Sequence, residues 1–275
     1  MEDSDVNPVT ALPRAGHGVP GVDVLRQRRD LLFNLVLAEL NARYKTAALG
    51  VLWFVLNPLI LMLILVAVFS RFIRLGIENY PVFVLSALLP WTYFQMGVTN
   101  GGTSIPRASG LVKRVYIPRA FIPLSAVLAS LVHFLISLVL LVVFMLAVGV
   151  PLSGDLFWIP PVIVLQTLLI AGVALLVASL NVFYRDVEHV LTPALMCLFY
   201  GTPIFYPLSF VPEAWRSVYI LNPMVGVIET YRCTLVEHTA PPADVLASAA
   251  VTSLALLVIG TAVFLRGEPY FDDYV

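Results

Sequence analysis

The chain has 275 residues, of which 60% are hydrophobic and 12% charged, and its mean hydropathy is +0.92. A soluble domain carries about 25% charged residues, so this composition is not that of an ordinary cytosolic fold. The net charge of −1, from 16 basic and 17 acidic residues, offers no basis for binding nucleic acid.

The charged residues are clustered, and six windows of the sequence carry no charge at all. These windows are residues 51–70, 80–105, 120–154, 156–184, 190–212 and 245–265. A helix needs about 20 apolar residues to cross a bilayer, and every window reaches that length. The sequence therefore predicts an all-α membrane protein with six spans in a domain over 49–266. The spans are placed at about 50–71, 81–105, 119–149, 157–183, 190–208 and 244–265.

The placement of the basic residues predicts the orientation of these spans. If the N-terminus is cytoplasmic, twelve of the 16 basic residues fall in cytoplasmic segments. The four that fall outside are Arg71, Arg74, Arg216 and Arg232. This excess follows the positive-inside rule, so both termini are predicted to be cytoplasmic. No signal peptide is recognisable in the first 48 residues.

The segments before the first span and after the last one differ in character. Residues 1–22, with several prolines and glycines, are predicted to be a disordered tail, and residues 267–275 a cytoplasmic C-terminus. Residues 23–48 are predicted to form an amphipathic helix at the membrane interface, because an apolar row recurs every four residues. That row is Leu32, Val36, Leu40 and Tyr44. The alternative for this helix is packing on the protein's own cytoplasmic surface.

Two connections deviate from a simple series of spans. Residues 106–118, with a proline at each end, are long enough for a short cytoplasmic helix parallel to the membrane. After the fifth span, residues 217–228 form an uncharged run of only 12 residues, interrupted by Asn222-Pro223. As a helix this run reaches about 18 Å, too short for a hydrocarbon core of about 30 Å. We therefore predict short re-entrant helices on the outer side.

The sequence contains no recognisable reaction centre. It has no G-x-x-x-x-G-K-[ST] loop for phosphate, and no G-x-S-x-G, H-E-x-x-H or C-x-x-C motif. The one ionisable residue well inside a predicted span is His133, which is weak support for ion-coupled transport. Cys197 and Cys233 are predicted to be unpaired thiols. The energy source must therefore lie in a partner, and no metal or cofactor is predicted for this chain.

Six stretches in order along the chain resemble the membrane subunit of type-two ATP-binding-cassette exporters, in the polysaccharide-export branch of O-antigen, teichoic acid and galactan permeases. They are LGVLW with NP (49–53, 57–58), LLPWTYF (88–94), LVKRVYIPR (111–119), NVFYRDV (181–187), TPIFYP (202–207) and LNP (221–223). The resemblance implies an inner-membrane homodimer with two copies of a separate ATPase subunit, which would hold ATP and Mg²⁺. It also implies a channel for a lipid-linked glycan, and outer gate helices within 207–228.

The resemblance also assigns roles to residues. Residues 106–118 resemble the coupling helix that contacts the ATPase, and the turn at 185–186 would lie beside the same partner. The coupling set is Arg107, Lys113, Arg114, Arg185, Asp186 and Glu188. The same basic residues could instead serve only the positive-inside rule, and Arg185 and Asp186 could be a simple charge pair.

The predicted substrate path combines aromatic rings with uncharged polar groups. Sugars present apolar C–H faces and hydroxyls, and a sliding chain needs weak binding at many points. The predicted lining is Trp91, Tyr93, Phe94, Gln95, Phe199, Tyr200, Phe205 and Tyr206. These rings could instead fill helix interfaces or form an aromatic belt. Two other functions stay open at this stage: export of a small hydrophobic molecule, and a non-transporting membrane anchor for a cytoplasmic ATPase.

Overall fold

The computed structural model describes residues 20–44, 79–108, 118–151 and 154–274, together with isolated positions between 52 and 67. Residues 1–19, most of the predicted first span, and Lys113 and Arg114 lie outside the described residues. The α-helices of the described part are α1 (Pro20–Tyr44), α2 (Tyr80–Gly102), α3 (Ser104–Arg107), α4 (Phe121–Ala147), α5 (Ile159–Phe183), α6 (Val187–Tyr200), α7 (Glu213–Ile220), α8 (Pro223–Arg232), α9 (Ala243–Gly267) and α10 (Phe271–Tyr274).

Four of the described helices are long and apolar enough to cross a membrane, namely α2, α4, α5 and α9. They correspond to the predicted second, third, fourth and sixth spans within a few residues. Pro81 and Pro160 lie in the first turns of α2 and α5, where a missing backbone N–H costs nothing.

The structure differs from the prediction at the fifth span. Helix α6 has 14 residues and ends at Tyr200, whereas the sequence predicted a span to residue 208. Gly201, Pro203 and Pro207 follow directly, and they prevent the helix from continuing. At 14 residues α6 is about 21 Å long, too short to cross alone.

Helices α5 and α9 pack closely and run in the same direction. Gly172 lies against Gly260, and Ser179 lies against Gly267 seven residues further along both helices. A side chain at position 260 would collide with the carbonyl oxygen of Gly172, so the two backbones touch here. Because α5 and α9 are parallel, the chain between them must return from one end of the bundle to the other.

Helix α2 is parallel to α5, and α4 is antiparallel to both. Gly97 and Gly101 of α2 lie against Ile170 and Ala174 of α5, in the same order. The bundle therefore has a Tyr80 end, where α2, α5 and α9 begin, and an Arg107 end, where they finish. Most of the buried apolar core lies between α2, α4, α5 and α8.

Helix α7 lies on the outside of the bundle with none of its residues buried, and α8 returns to the Tyr80 end packed against α2, α5 and α9. Met224, in the first turn of α8, lines a cavity with Phe94 and Leu256, whereas Arg232, at the other end of α8, lies over Phe83. Phe94 is 14 residues from the start of α2, or about 21 Å into the bundle. The turn at Asn222-Pro223 is thus far from the Tyr80 end along the bundle axis, although it is only half-buried.

Helix α1 crosses the Arg107 end and packs against α4. It begins at Pro20, three residues before the predicted boundary. Val36 from the predicted apolar row is buried, whereas Phe33 and Leu37 are exposed. One side of α1 therefore packs on the protein, as in the alternative considered above, and the other side presents apolar side chains.

Candidate functional site

Four of the predicted path residues, taken from three separate parts of the chain, form one cluster of rings. The ring of Trp91 is 5.5 Å from that of Phe94 and 5.3 Å from that of Phe199. Phe199 is in turn 5.3 Å from Phe205, at right angles to it. These separations are typical of favourable aromatic pairs. The structure thus brings together side chains from α2, α6 and the turn after α6.

The predicted path residues differ in how far they reach the surface. Trp91 and Phe94 are buried inside the protomer, Phe199 is half-buried, and Gln95 and Tyr200 are exposed, the latter at 62%. In this conformation the buried rings support the surface and do not form it.

Tyr93 is separate from the ring cluster. Its ring stacks on that of Phe134 at 5.0 Å, and its hydroxyl donates to Thr167 Oγ1 at 3.0 Å. It therefore joins α2 to α4 and α5 inside the core. Phe205 and Tyr206, by contrast, are half-buried at the edge of the turn that follows α6.

Arg232 is a buried cation that the sequence analysis placed in an outer loop. It is the last residue of α8, and only 1% of its surface is exposed. Its guanidinium donates to the carbonyl oxygens of Pro203 at 2.5 Å, Ile204 at 2.6 Å and Tyr206 at 3.1 Å. Its Cζ lies 3.9 Å from the centre of the Phe83 ring. The hydroxyl of Tyr80 donates to the remaining carbonyl of this stretch, that of Phe205, at 3.2 Å.

These contacts have a simple physical reason. The stretch from 201 to 207 is not helical, so its carbonyls lack helical partners. Buried carbonyls must still be hydrogen-bonded, above all in a membrane domain. Arg232 and Tyr80 together satisfy four consecutive carbonyls. In the sequence Arg232 follows the uncharged run 217–228 and Glu229, a position that gives no sign of this role.

Two further polar contacts hold α8 in place. The Asn222 side chain accepts from Met224 N at 3.0 Å and donates to Thr202 Oγ1 at 2.9 Å, so it both caps α8 and ties its start to the end of α6. The fully buried Gln166 of α5 donates to the Pro90 carbonyl at 2.7 Å and accepts from the Tyr231 hydroxyl at 3.1 Å. Nothing in the sequence marks Gln166 for this role.

The described residues of the predicted coupling set lie together at the Arg107 end. Arg107 is exposed at the end of α3, and Arg185, Asp186 and Glu188 are exposed at the turn from α5 to α6. In this part of the structure Arg185 and Asp186 form no ion pair with each other. Next to Arg107, a cavity of about 240 Å³ lies between α1, α2 and α4, with Glu39 among its lining residues.

Helix α6 forms one wall of a second cavity, and much of its own surface is exposed. The cavity has a volume of about 330 Å³, and apolar side chains of α2, α5, α6, α8 and α9 form most of its wall. Val190, Met196 and Tyr200 of α6 are each about 60% exposed.

No group of three or more metal-ligating side chains occurs among the described residues, and His133 is buried in α4. Cys197 is exposed and Cys233 is buried, and both are free thiols as predicted.

The sequence matches the family model described as ABC-2 type transporter over residues 30–236. The chain belongs to the ABC-2 type transporter family. It is 36% identical over 253 residues to the O-antigen export system permease protein RfbA of Myxococcus xanthus, and the alignment covers 91% of this chain and 97% of the relative. It is 33% identical over 245 residues to the RfbA protein of Klebsiella pneumoniae, with 89% and 94% covered.

A more distant relative of this ABC-2 chain is the polysialic acid transport protein KpsM of Escherichia coli, 26% identical over 257 residues, with 90% and 96% covered. The family resemblance noted from the six sequence stretches is therefore confirmed. The matched region extends from α1 to the π-helical turn Cys233–Glu237 that follows α8, and so includes the ring cluster and Arg232.

Proposed function

We propose that this chain is the transmembrane subunit of an ATP-driven exporter that moves a lipid-linked polysaccharide across the cytoplasmic membrane. The observation that carries this proposal is the similarity, over about nine-tenths of the chain, to proteins named as O-antigen export permeases. The sequence has no phosphate-binding loop, so ATP and Mg²⁺ belong to a separate ATPase subunit.

The chain crosses the membrane six times, with both termini in the cytoplasm and the Tyr80 end outside. The apolar window 51–70 is long enough for the first crossing. Helix α6 and the stretch after it make the fifth crossing together, which is consistent with the parallel direction of α5 and α9. This orientation keeps Arg107 and Arg185 on the cytoplasmic side.

The glycan path runs along the surface on which Gln95 and Tyr200 are exposed. Phe199, Phe205 and Tyr206 form its half-buried wall, and Trp91, Tyr93 and Phe94 support that wall from behind. Flat rings and an amide can contact a sugar without a charge, so each contact is weak and the chain can slide. Helices α7 and α8 act as the outer gate.

A second copy of the chain completes the path. Helix α6 has large exposed side chains on several sides that a second copy can cover. Covering it with the same helix of a partner copy buries Val190 and Met196.

Residues 106–118 form the coupling helix that contacts the ATPase, with Arg107, Lys113 and Arg114 as its basic residues. Arg185, Asp186 and Glu188 lie at the same end of the bundle and contact the same partner. ATP-driven closure of two ATPase subunits then displaces these segments and, through them, α2, α4 and α6.

The path is tested with the complex in proteoliposomes, by measuring glycan uptake and ATP hydrolysis. Tyr200→Ala should reduce glycan transport strongly and leave assembly unchanged, because its ring is exposed. Phe157→Ala serves as the matched control and should transport normally, since Phe157 is exposed in the turn Gly154–Trp158 before α5. Trp91→Ala should instead destabilise the protein, by about 3–5 kcal/mol for a buried ring. Normal transport by Tyr200→Ala would exclude this surface as the path.

Export of a small hydrophobic molecule is the second candidate, and the apolar cavity of about 330 Å³ behind α6 favours it. Its volume is that of a small ligand site. A hydrophobic dye that is transported at the expense of ATP, in vesicles where the glycan is not, would support this candidate over the first.

A further inference from the structure

The last described residues of the chain fold back against the bundle. After α9, a 3₁₀ turn at Glu268–Tyr270 and the short helix α10 return along the Arg107 end. We call residues 268–274 the C-terminal hook. A Cβ at Gly267, where the hook begins, would lie 2.8 Å from Ser179 Oγ, so α9 and α5 are in close contact at this point.

The hook is anchored by Phe271, which has no exposed surface. Its ring is 5.3 Å from Phe264 and 5.8 Å from Phe183. It belongs to a separate buried cluster at this end of the bundle, and that cluster includes Ile105 of α3. A fully buried ring shows that the hook is held against the bundle.

A second contact joins the hook to the start of α4. Glu268 Oε1 accepts from the backbone N–H of Arg119 at 3.3 Å. The Arg119 guanidinium donates in return to the carbonyl oxygen of Glu268. The two residues are 149 positions apart in the sequence, so the hook links the start of α4 to the end of α9.

The buried cluster that holds Phe271 and the contact between Glu268 and Arg119 border the same connection. Ile105 directly precedes residues 106–118, and Arg119 directly follows them. We propose that the C-terminal hook is a positioning element for energy coupling, which holds both ends of this connection to α5 and α9. The inference rests on the proposed role of residues 106–118 as the coupling helix.

The physical reason is the transmission of a displacement. A push on a connection moves the helices behind it only if its ends are attached to a rigid body, because loose ends absorb the movement. Packed helices shift as units. With the hook in place, a push on 106–118 reaches α2, α4 and α9 together. Without it, the ATPase can turn over while the spans move less.

The test compares hook variants of the full chain, in complex with the ATPase subunit in proteoliposomes. Phe271→Ala should lower the glycan transported per ATP hydrolysed severalfold. Phe271→Leu should restore most of that ratio. Tyr270→Ala is the matched control, since its ring is 59% exposed, and should behave as the wild type.

Glu268→Ala removes the acceptor for the Arg119 N–H but leaves Phe271 in place. It should lower the same ratio even if Phe271→Ala fails to fold, whereas Glu268→Gln, which keeps an oxygen acceptor, should not. An unchanged ratio in folded Phe271→Ala and Glu268→Ala complexes would overturn the role of the hook. Failure of the proposed function is distinguishable, because the wild-type complex would then transport no glycan.

Discussion

Replacing Arg232 by methionine should loosen the turn between α6 and α7 without unfolding the bundle. Methionine has a similar length and no donor, so it removes the bonds to the carbonyls of Pro203, Ile204 and Tyr206 and leaves the volume nearly unchanged. The helix that carries Arg232 keeps its other contacts, including the bond from Tyr231 to Gln166.

The magnitude follows from the three carbonyls. A buried polar group that loses its partner costs about 1–3 kcal/mol, so the low end for three gives about 3 kcal/mol. The contact with Phe83 adds about 1 kcal/mol. Relief of the buried charge offsets part of this. We expect a net loss of about 3 kcal/mol in the local stability of the turn.

Cys233 is the reporter for this loss, because it is the next residue and is buried. With the exposed Cys197 replaced by serine, the rate at which a thiol reagent labels Cys233 measures the local opening equilibrium. A loss of about 3 kcal/mol should accelerate labelling about a hundredfold. The labelling rate of Arg232→Lys should lie between those of the wild type and Arg232→Met, because an ammonium cannot reproduce the planar arrangement of donors of the guanidinium.

Tyr80→Phe is the graded control in the same assay. It removes one hydrogen bond, to the Phe205 carbonyl, so labelling should accelerate only about fivefold, for about 1 kcal/mol. If Cys233 in Arg232→Met is labelled within about threefold of the wild-type rate, the turn does not depend on the hydrogen bonds from Arg232, and the prediction is wrong.

Three further predictions concern the partner and the topology. The purified chain should neither bind nor hydrolyse ATP, and turnover in a preparation free of the ATPase subunit would contradict the division of labour. A cysteine at Glu188 should be labelled only from the cytoplasm, and one at Asp155 or Ala214 only from outside; labelling of position 214 from inside would remove α7 from the outer gate. Lys113→Glu combined with Arg114→Glu should reduce binding of the ATPase and leave membrane insertion intact, since charge reversal at an interface costs several kcal/mol. Normal assembly of that double variant would leave the two residues with a topological role only.

The sequence was sufficient for the helices that span the bundle, and the reason is local. Charges border each apolar window, and prolines such as Pro81 and Pro160 fix a helix start, so span limits depend on few distant contacts. The predicted re-entrant turn at Asn222-Pro223 depends on length and a proline, which are local as well. At the fifth span the helix ends at Tyr200, before the predicted limit at residue 208, because Gly201 and Pro203 stop it.

The roles of individual rings could not be predicted in the same way. In a span that is apolar on every side, the sequence pattern does not show which side chains face lipid, the protein core or the substrate path. Trp91 and Phe94 therefore look equivalent to Tyr200 in the sequence. Their burial depends on which helices pack on them. The position of Arg232 depends on carbonyls 26 to 29 residues away. Contacts at that range leave no periodic signal.

The stretch from 203 to 206 shows how an irregular wall can be kept rigid inside a membrane domain. An α-helix satisfies its own carbonyls, whereas this stretch has four in a row that it cannot satisfy. Arg232 supplies three donors and Tyr80 the fourth, so the backbone that carries Phe205 and Tyr206 is held by side chains of α8 and α2. If those two rings contact the glycan, Arg232 and Tyr80 belong to the same functional unit although neither contacts the substrate. A change confined to Arg232 should then impair transport by displacing the wall, and its effect should follow the loosening that Cys233 reports.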